Sequence, residues 1–176
     1  MDPLVFKSLI LRCAEEADAE YILGLRLDPL LNRFLSKTDG SLEQQKKWLR
    51  DYKLREAART EYYFIIQSLN YEPWGTVRVY DICSGSFSWG SWIIPRGKPP
   101  SVAVETTLMI YDFAFGVLDC ARAHFKVCRE NTNVIRFHRR LGARSLLSDE
   151  TEEYFELSRD EYQTARPALL RILDQV

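Results

Sequence analysis

The chain has 176 residues, 46% of them hydrophobic and 28% charged, the balance of a soluble globular protein able to bury its own core. Its 24 basic and 25 acidic residues leave a net charge of −1, which gives no support for a nucleic-acid or membrane-surface partner. No apolar run approaches the roughly 18 residues that span a bilayer, and the first residues lack the apolar core of a signal peptide, so a cytoplasmic protein is expected.

Residues 8–13 (SLILRC) read as a short apolar strand. Residues 14–27 read as a helix, with Glu15, Glu16 and Asp18 in its first turn and Ala17, Tyr21 and Leu25 on one face. Asp28-Pro29 ends it, because the residue before a proline avoids the helical region, and a loop runs on to Gly40. Ser41, with Gln44 three positions on, opens a second helix through Trp48, Leu49 and Tyr52 to about Ala58.

The aromatic and β-branched run 61–69 and the alternating run 75–83 predict an antiparallel hairpin, and 87–94 the next strand. A long helix follows, striped by Val104, Leu108, Tyr111, Phe115 and Leu118, a pattern whose plain meaning is core packing. Residues 122–128 are a strand, the run from Asn131 a short helix, and 144–147 and 153–157 a final pair of strands. Ser158 with Glu161 opens a C-terminal helix that Pro167 interrupts or restarts. This order predicts an α+β fold in one domain over residues 1–176, with a mixed, mostly antiparallel sheet of about seven strands flanked by helices.

The cysteines Cys13, Cys83, Cys120 and Cys128 show no Cys-x-x-Cys spacing. With only His124 and His138 to join them, no metal site is expected, and the thiols read as buried and reduced. The stretch from Ser86 to Gly142 holds more chemistry. A loop that opens a helix between two strands gathers free N–H groups and the positive end of the helix dipole, a natural seat for an anion. Lys98, Pro99, Pro100, Ser101, Val102 and Ala103 put a cation and then small residues at that place. Along the strand before it, alternation sets Phe87, Trp89 and Ser91 on one side and Ser88, Gly90 and Trp92 on the other. The aromatic crowd around these positions reads as core, or as a face on which a flat ring stacks. Asp81 and Glu105 are the nearest acids in sequence, either of them a possible base or a surface residue.

The chain resembles the GNAT superfamily of acyl-CoA N-acyltransferases over nearly its whole length. The resembling segments are LILRCAEEADAEYILGL (9–25), QQKKWL (44–49), WGTVRVYDI (74–82) and NTNVIRFHRRLGA (131–143). The resemblance implies that Lys98, Ser101 and Ala103, with Val102 between them, form the family's phosphate loop, whose pattern is Arg/Gln-x-x-Gly-x-Gly/Ala. Arg96 fills the basic place in a shifted register. Lysine and serine depart from the pattern, and Pro99 and Pro100 each remove a donor, so fewer main-chain bonds to the CoA pyrophosphate are expected.

By the same resemblance, the strand ending in Trp92, Ile93 and Ile94 splays from 122–128 and pairs with the pantetheine arm. Asn131 falls where relatives bond the cofactor, and His138 where they carry the tyrosine that protonates the departing thiolate. An imidazolium can do that work near neutral pH. The other reading makes Asn131 a helix N-cap and His138 a packing residue.

The implied activity is acetyl-CoA-dependent N-acetylation by direct attack of a primary amine, without a metal or a covalent enzyme intermediate. The implied acceptor is a small-molecule amine, including an amino sugar carried on a nucleotide, or a protein N-terminus. A monomer or homodimer is expected, the apolar long helix suiting a dimer. The alternative is a module of the same fold that holds acyl-CoA without turnover.

Overall fold

The computed structural model describes all residues except 36, 37, 39 and 176. Two short strands, β1 (Leu4–Phe6) and β2 (Leu9–Cys13), form an antiparallel pair at the start. A single helical turn over Glu16–Asp18 leads into α1 (Ala19–Leu27), and α2 (Leu42–Ala57) follows a loop. Part of the loop expected from Asp28 to Gly40 lies outside the described residues. Strands β3 (Tyr62–Ser68), β4 (Pro73–Cys83) and β5 (Ser86–Ile93) form an antiparallel meander. Helix α3 (Ser101–Asp112) ends in a wider π-helical turn over Phe113–Val117. Then come β6 (Arg122–Cys128), α4 (Thr132–Arg140), β7 (Arg144–Ser148), β8 (Glu152–Ser158) and α5 (Arg159–Leu173).

The strands make one eight-stranded sheet in the order β1-β2-β3-β4-β5-β6-β8-β7. Every neighbouring pair is antiparallel except β5 and β6, which run parallel through the α3 crossover. Helices cover both faces, and alternation along the strands sorts the side chains between them. On β3, Tyr62, Phe64 and Ile66 face α3 and join the main core with Phe87, Leu108 and Tyr111. Tyr63 and Ile65 face the other way and pack with Ile22, Leu49 and Tyr52 of α1 and α2. The strand is therefore buried on both sides, as its unbroken apolar sequence requires.

Several expectations need correction. The sheet has eight strands, not seven, because β1 is a three-residue strand turned back on β2 at Lys7, too short to show alternation. Helix α1 starts at Ala19 rather than Ala14, because the Asp18 carboxylate is held by Arg12 and the main-chain N–H of Glu15, which fixes a separate turn. Ala17 is consequently exposed, and the buried face of α1 is Ala19, Ile22, Leu23 and Leu25.

Pro167 neither interrupts nor restarts α5, which runs through it as one helix. Cys83 is exposed and Cys128 half-buried; only Cys13 and Cys120 are buried. The apolar surface of α3 is covered within the chain. Its stripe faces the sheet, and α5 covers it through Tyr162 Oη on Asp112 (2.8 Å) and Arg166 on the same carboxylate (2.7 Å). The reason for expecting a dimer through that helix therefore lapses.

Candidate active site

The parallel partners β5 and β6 are in register at only two residue pairs, Ser86 with Arg122 and Phe87 with Ala123. Ser88 then reaches across with its hydroxyl to the carbonyl of His124. Beyond it each strand follows its other neighbour. β6 stays paired with β8 along its whole length, from Arg122 opposite Ser158 to Cys128 opposite Glu152. β5 follows β4 through a bulge: Arg78 stands opposite Gly90, but Thr76 stands opposite Ile93.

The extra residue sits at Ser91, whose φ of +45° turns the chain. Gly75 makes room for the bend, since a Cβ there would lie 2.1 Å from the carbonyl oxygen of Ile93. A wedge therefore opens between the strands, with peptide edges along its walls.

A cavity of about 640 Å³ fills the wedge and is lined by residues from both faces of the sheet. Trp89, Phe125 and Val127 on its wall belong to the core under α3 and α5. Arg78, Tyr80, Gly90 and Lys126 alternate with those positions and line the opposite mouth, on the side of α2, together with Leu31, Arg33, Phe34 and Leu35 of the α1–α2 loop. Gly90 leaves space for Tyr80, whose hydroxyl would be 3.2 Å from a Cβ added there.

The first mouth is aromatic. Trp89 Nε1 donates to Tyr111 Oη at 3.1 Å, and its ring meets Trp92 at 5.2 Å between centroids. Trp92 thus lies on the same side as Trp89, contrary to simple alternation, because the bulge at Ser91 reverses the parity of everything after it. His138 packs among Phe125 (4.3 Å), Trp89 (5.4 Å) and Phe155 (6.4 Å) and is only 4% exposed. Burial without a charged partner pushes its pKa down to about 3, so the ring is neutral at pH 7. Burial thus disfavours the imidazolium, the form that the resemblance would use as the acid.

Two buried donors or acceptors on this wall, His138 Nδ1 and Trp92 Nε1, have no hydrogen-bond partner among the described residues. Asn131 also faces the cavity. It stands at the N-cap of α4, yet its side chain makes no cap bond, which leaves the amide free for a ligand. Orphan polar atoms around an apolar slot are what a ligand with an amide-bearing arm would satisfy.

The expected phosphate loop lies farther along. Arg96 is exposed. Lys98 is engaged, with Nζ 2.8 Å from Glu72 Oε1 and 5.3 Å from the centre of the Trp74 ring. Helix α3 begins at Ser101, and the N–H of Val102 is already bonded to the carbonyl of Pro99. Since Pro99 and Pro100 have no N–H, Ser101 and Ala103 are the main-chain donors at the helix start. The side chain of Val102 is fully buried in the core, while Ile93 pairs with Thr76 and Ile94 packs against the core.

Neither expected acid reaches the cavity. Asp81 is exposed, and Glu105 is 1% exposed and accepts from Ser8 N, Ser8 Oγ and Leu9 N. Tyr80 belongs to the aromatic crowd named from sequence, but Arg78, Lys126 and Glu152 went unrecognised there. The Arg-x-Tyr alternation of β4 was the available signal for Arg78.

Residues 8–144 match the family model of the acetyltransferase (GNAT) domain. The chain belongs to the GNAT acetyltransferase family. Among solved structures it is similar to apo FdhC, described as a nucleotide-linked sugar GNAT, at 37% identity and a TM-score of 0.88, covering 98% of both chains. It shares its fold with the spermidine N-acetyltransferase of Vibrio cholerae in complex with CoA and spermine. That match has a TM-score of 0.77 at 17% identity, over 89% of this chain and 98% of the other. No curated protein matches the sequence. The GNAT assignment accounts for the parallel β5–β6 pair that opens into a wedge, and makes the chain an acetyltransferase.

Proposed function

We propose that this GNAT enzyme transfers the acetyl group of acetyl-CoA to the primary amine of an amino sugar carried on a nucleotide. The observation that carries the reading is the cavity in the wedge, aromatic on one side and basic on the other. Such a site would let two substrates enter from opposite faces and meet between β5 and β6, which supplies catalysis by proximity. The likeness to a nucleotide-linked sugar GNAT supports the acceptor class. A polyamine acceptor would meet Arg33, Arg78 and Lys126 at this mouth; among the described residues Arg33 and Lys126 are balanced by Glu130 and Glu152, and Arg78 shares Glu61 with Arg55, so the excess charge is of the wrong sign.

Acetyl-CoA supplies a thioester that an amine attacks directly, giving an amide and a free thiol. The peptide edge of Trp92, Ile93 and Ile94 and the amide of Asn131 would hold the pantetheine arm. Ser101, Ala103 and Arg96 would hold the phosphates, with Lys98 kept beside them by Glu72. His138 enters as a neutral ring. It can take a proton on one nitrogen while giving up the proton on the other, returning the amine's proton to the departing sulfur without an imidazolium. Incubation with acetyl-CoA and a nucleotide-linked amino sugar tests the reading, with mass spectrometry for one added acetyl group. A protein that binds acetyl-CoA and acetylates no amine would instead be a binding module.

A further inference from the structure

Resting on that reading of the acceptor, we infer that Arg78 is the residue that recognises the acceptor's phosphate. Its guanidinium is held in place before any ligand arrives. Nε donates to Glu61 Oε1 at 2.7 Å, and Cζ lies 5.2 Å from the centre of the Trp48 ring and 4.7 Å from that of Tyr80. Glu61 is 4% exposed, and its other oxygen accepts from Arg55 Nε at 2.7 Å. One carboxylate between two guanidiniums leaves a full positive charge in excess beside the cavity.

The other cations of this mouth are matched: Arg33 pairs with Glu130 at 2.9 Å and Lys126 with Glu152 at 3.3 Å. Among the described residues the protein gives the terminal nitrogens of Arg78 no acceptor. A fixed planar fork with free N–H groups, a quarter exposed at the wall of a cavity, suits two oxygens of a phosphate better than any neutral group. The sugar's amine would then point from this mouth toward the wedge.

The test is a titration of the CoA-saturated protein with uridine and thymidine diphosphates and with the two nucleosides, so that the CoA site itself is filled. The wild type should bind a diphosphate and prefer it to its nucleoside. Arg78→Gln should weaken diphosphate binding roughly ten- to a hundredfold, with nucleoside binding little changed. Arg78→Lys, which keeps the charge and the contact with Glu61 but loses the fork, should fall between them. In turnover assays the same variants should raise KM for the acceptor and leave KM for acetyl-CoA unchanged, which a general loss of structure would not do.

The inference is overturned if the wild type has no preference for the diphosphate, or if Arg78→Gln keeps that preference. Failure of CoA to bind the wild type would count against the acetyltransferase reading alone. The diphosphate titration on the free protein would still decide the role of Arg78.

Discussion

The rings of Trp89 and Trp92 meet at 5.2 Å although an odd number of positions separates them on one strand. Regular pleating would put them on opposite faces. The positive φ of Ser91 brings them together and turns β5 away from β6, so one residue both builds the aromatic wall and opens the wedge.

Substitutions at Ser91 should separate these effects. Ser91→Gly fits the backbone and should leave stability near wild type. Ser91→Val places a β-branched residue at positive φ and should cost about 1–2 kcal/mol in urea unfolding. The strain would also push the strand toward regular pleating, so acetyl-CoA should bind more weakly to the valine variant at a temperature where it stays folded.

His138 predicts a pH dependence of stability. Its folded pKa lies far below its ordinary 6.5, so the unfolded chain binds the proton more readily. That contribution to stability is present above pH 6.5 and is lost as pH falls, reaching about 2 kcal/mol between pH 7.5 and pH 5. Denaturant unfolding of wild type and His138→Phe over that range checks it. The variant should show a flatter curve; parallel curves would mean that the ring is protonated in the folded protein.

The phosphate loop is tested by charge. Acetyl-CoA at a hundred times its Kd should add about 2.7 kcal/mol of stability. Ala103→Glu should abolish that gain while leaving the circular dichroism unchanged. Because Lys98 is already tied to Glu72, Arg96→Ala should weaken binding more than Lys98→Ala. The opposite order would show that Lys98 leaves Glu72 for the phosphates.

Glu105 should prove structural. It receives the main-chain N–H groups of Ser8 and Leu9 and the Ser8 hydroxyl, so Glu105→Ala leaves the buried N–H of Leu9 unmatched and unties Ser8. The expected loss is roughly 2–4 kcal/mol, with normal turnover per folded molecule. A fall in turnover with unchanged stability would return Glu105 to the list of candidate bases.

Most of the fold was legible because its signals are local. The alternation of 75–83, the stripe on α3 and the Ser158–Glu161 capping box each depend on neighbours in sequence, and each took its predicted form. The misses depend on contacts between distant residues. The bulge at Ser91 is set by pairing with β4 and by Gly75 packed under Ile93, which no window on β5 reveals. The protonation state of His138 follows from Phe125 and Phe155, which the sheet brings to it. The setting of Arg78 is made by Glu61, Arg55 and Trp48, none of them on its own strand.

The most direct test of the account is release of CoA thiol from acetyl-CoA with a panel of amines: a nucleotide-linked amino sugar, the free amino sugar, spermidine and a short peptide. The account predicts that the nucleotide-linked amino sugar gives the highest kcat/KM and spermidine little above background hydrolysis. Preference for spermidine, or no amine-dependent release from a protein that binds acetyl-CoA, would contradict it.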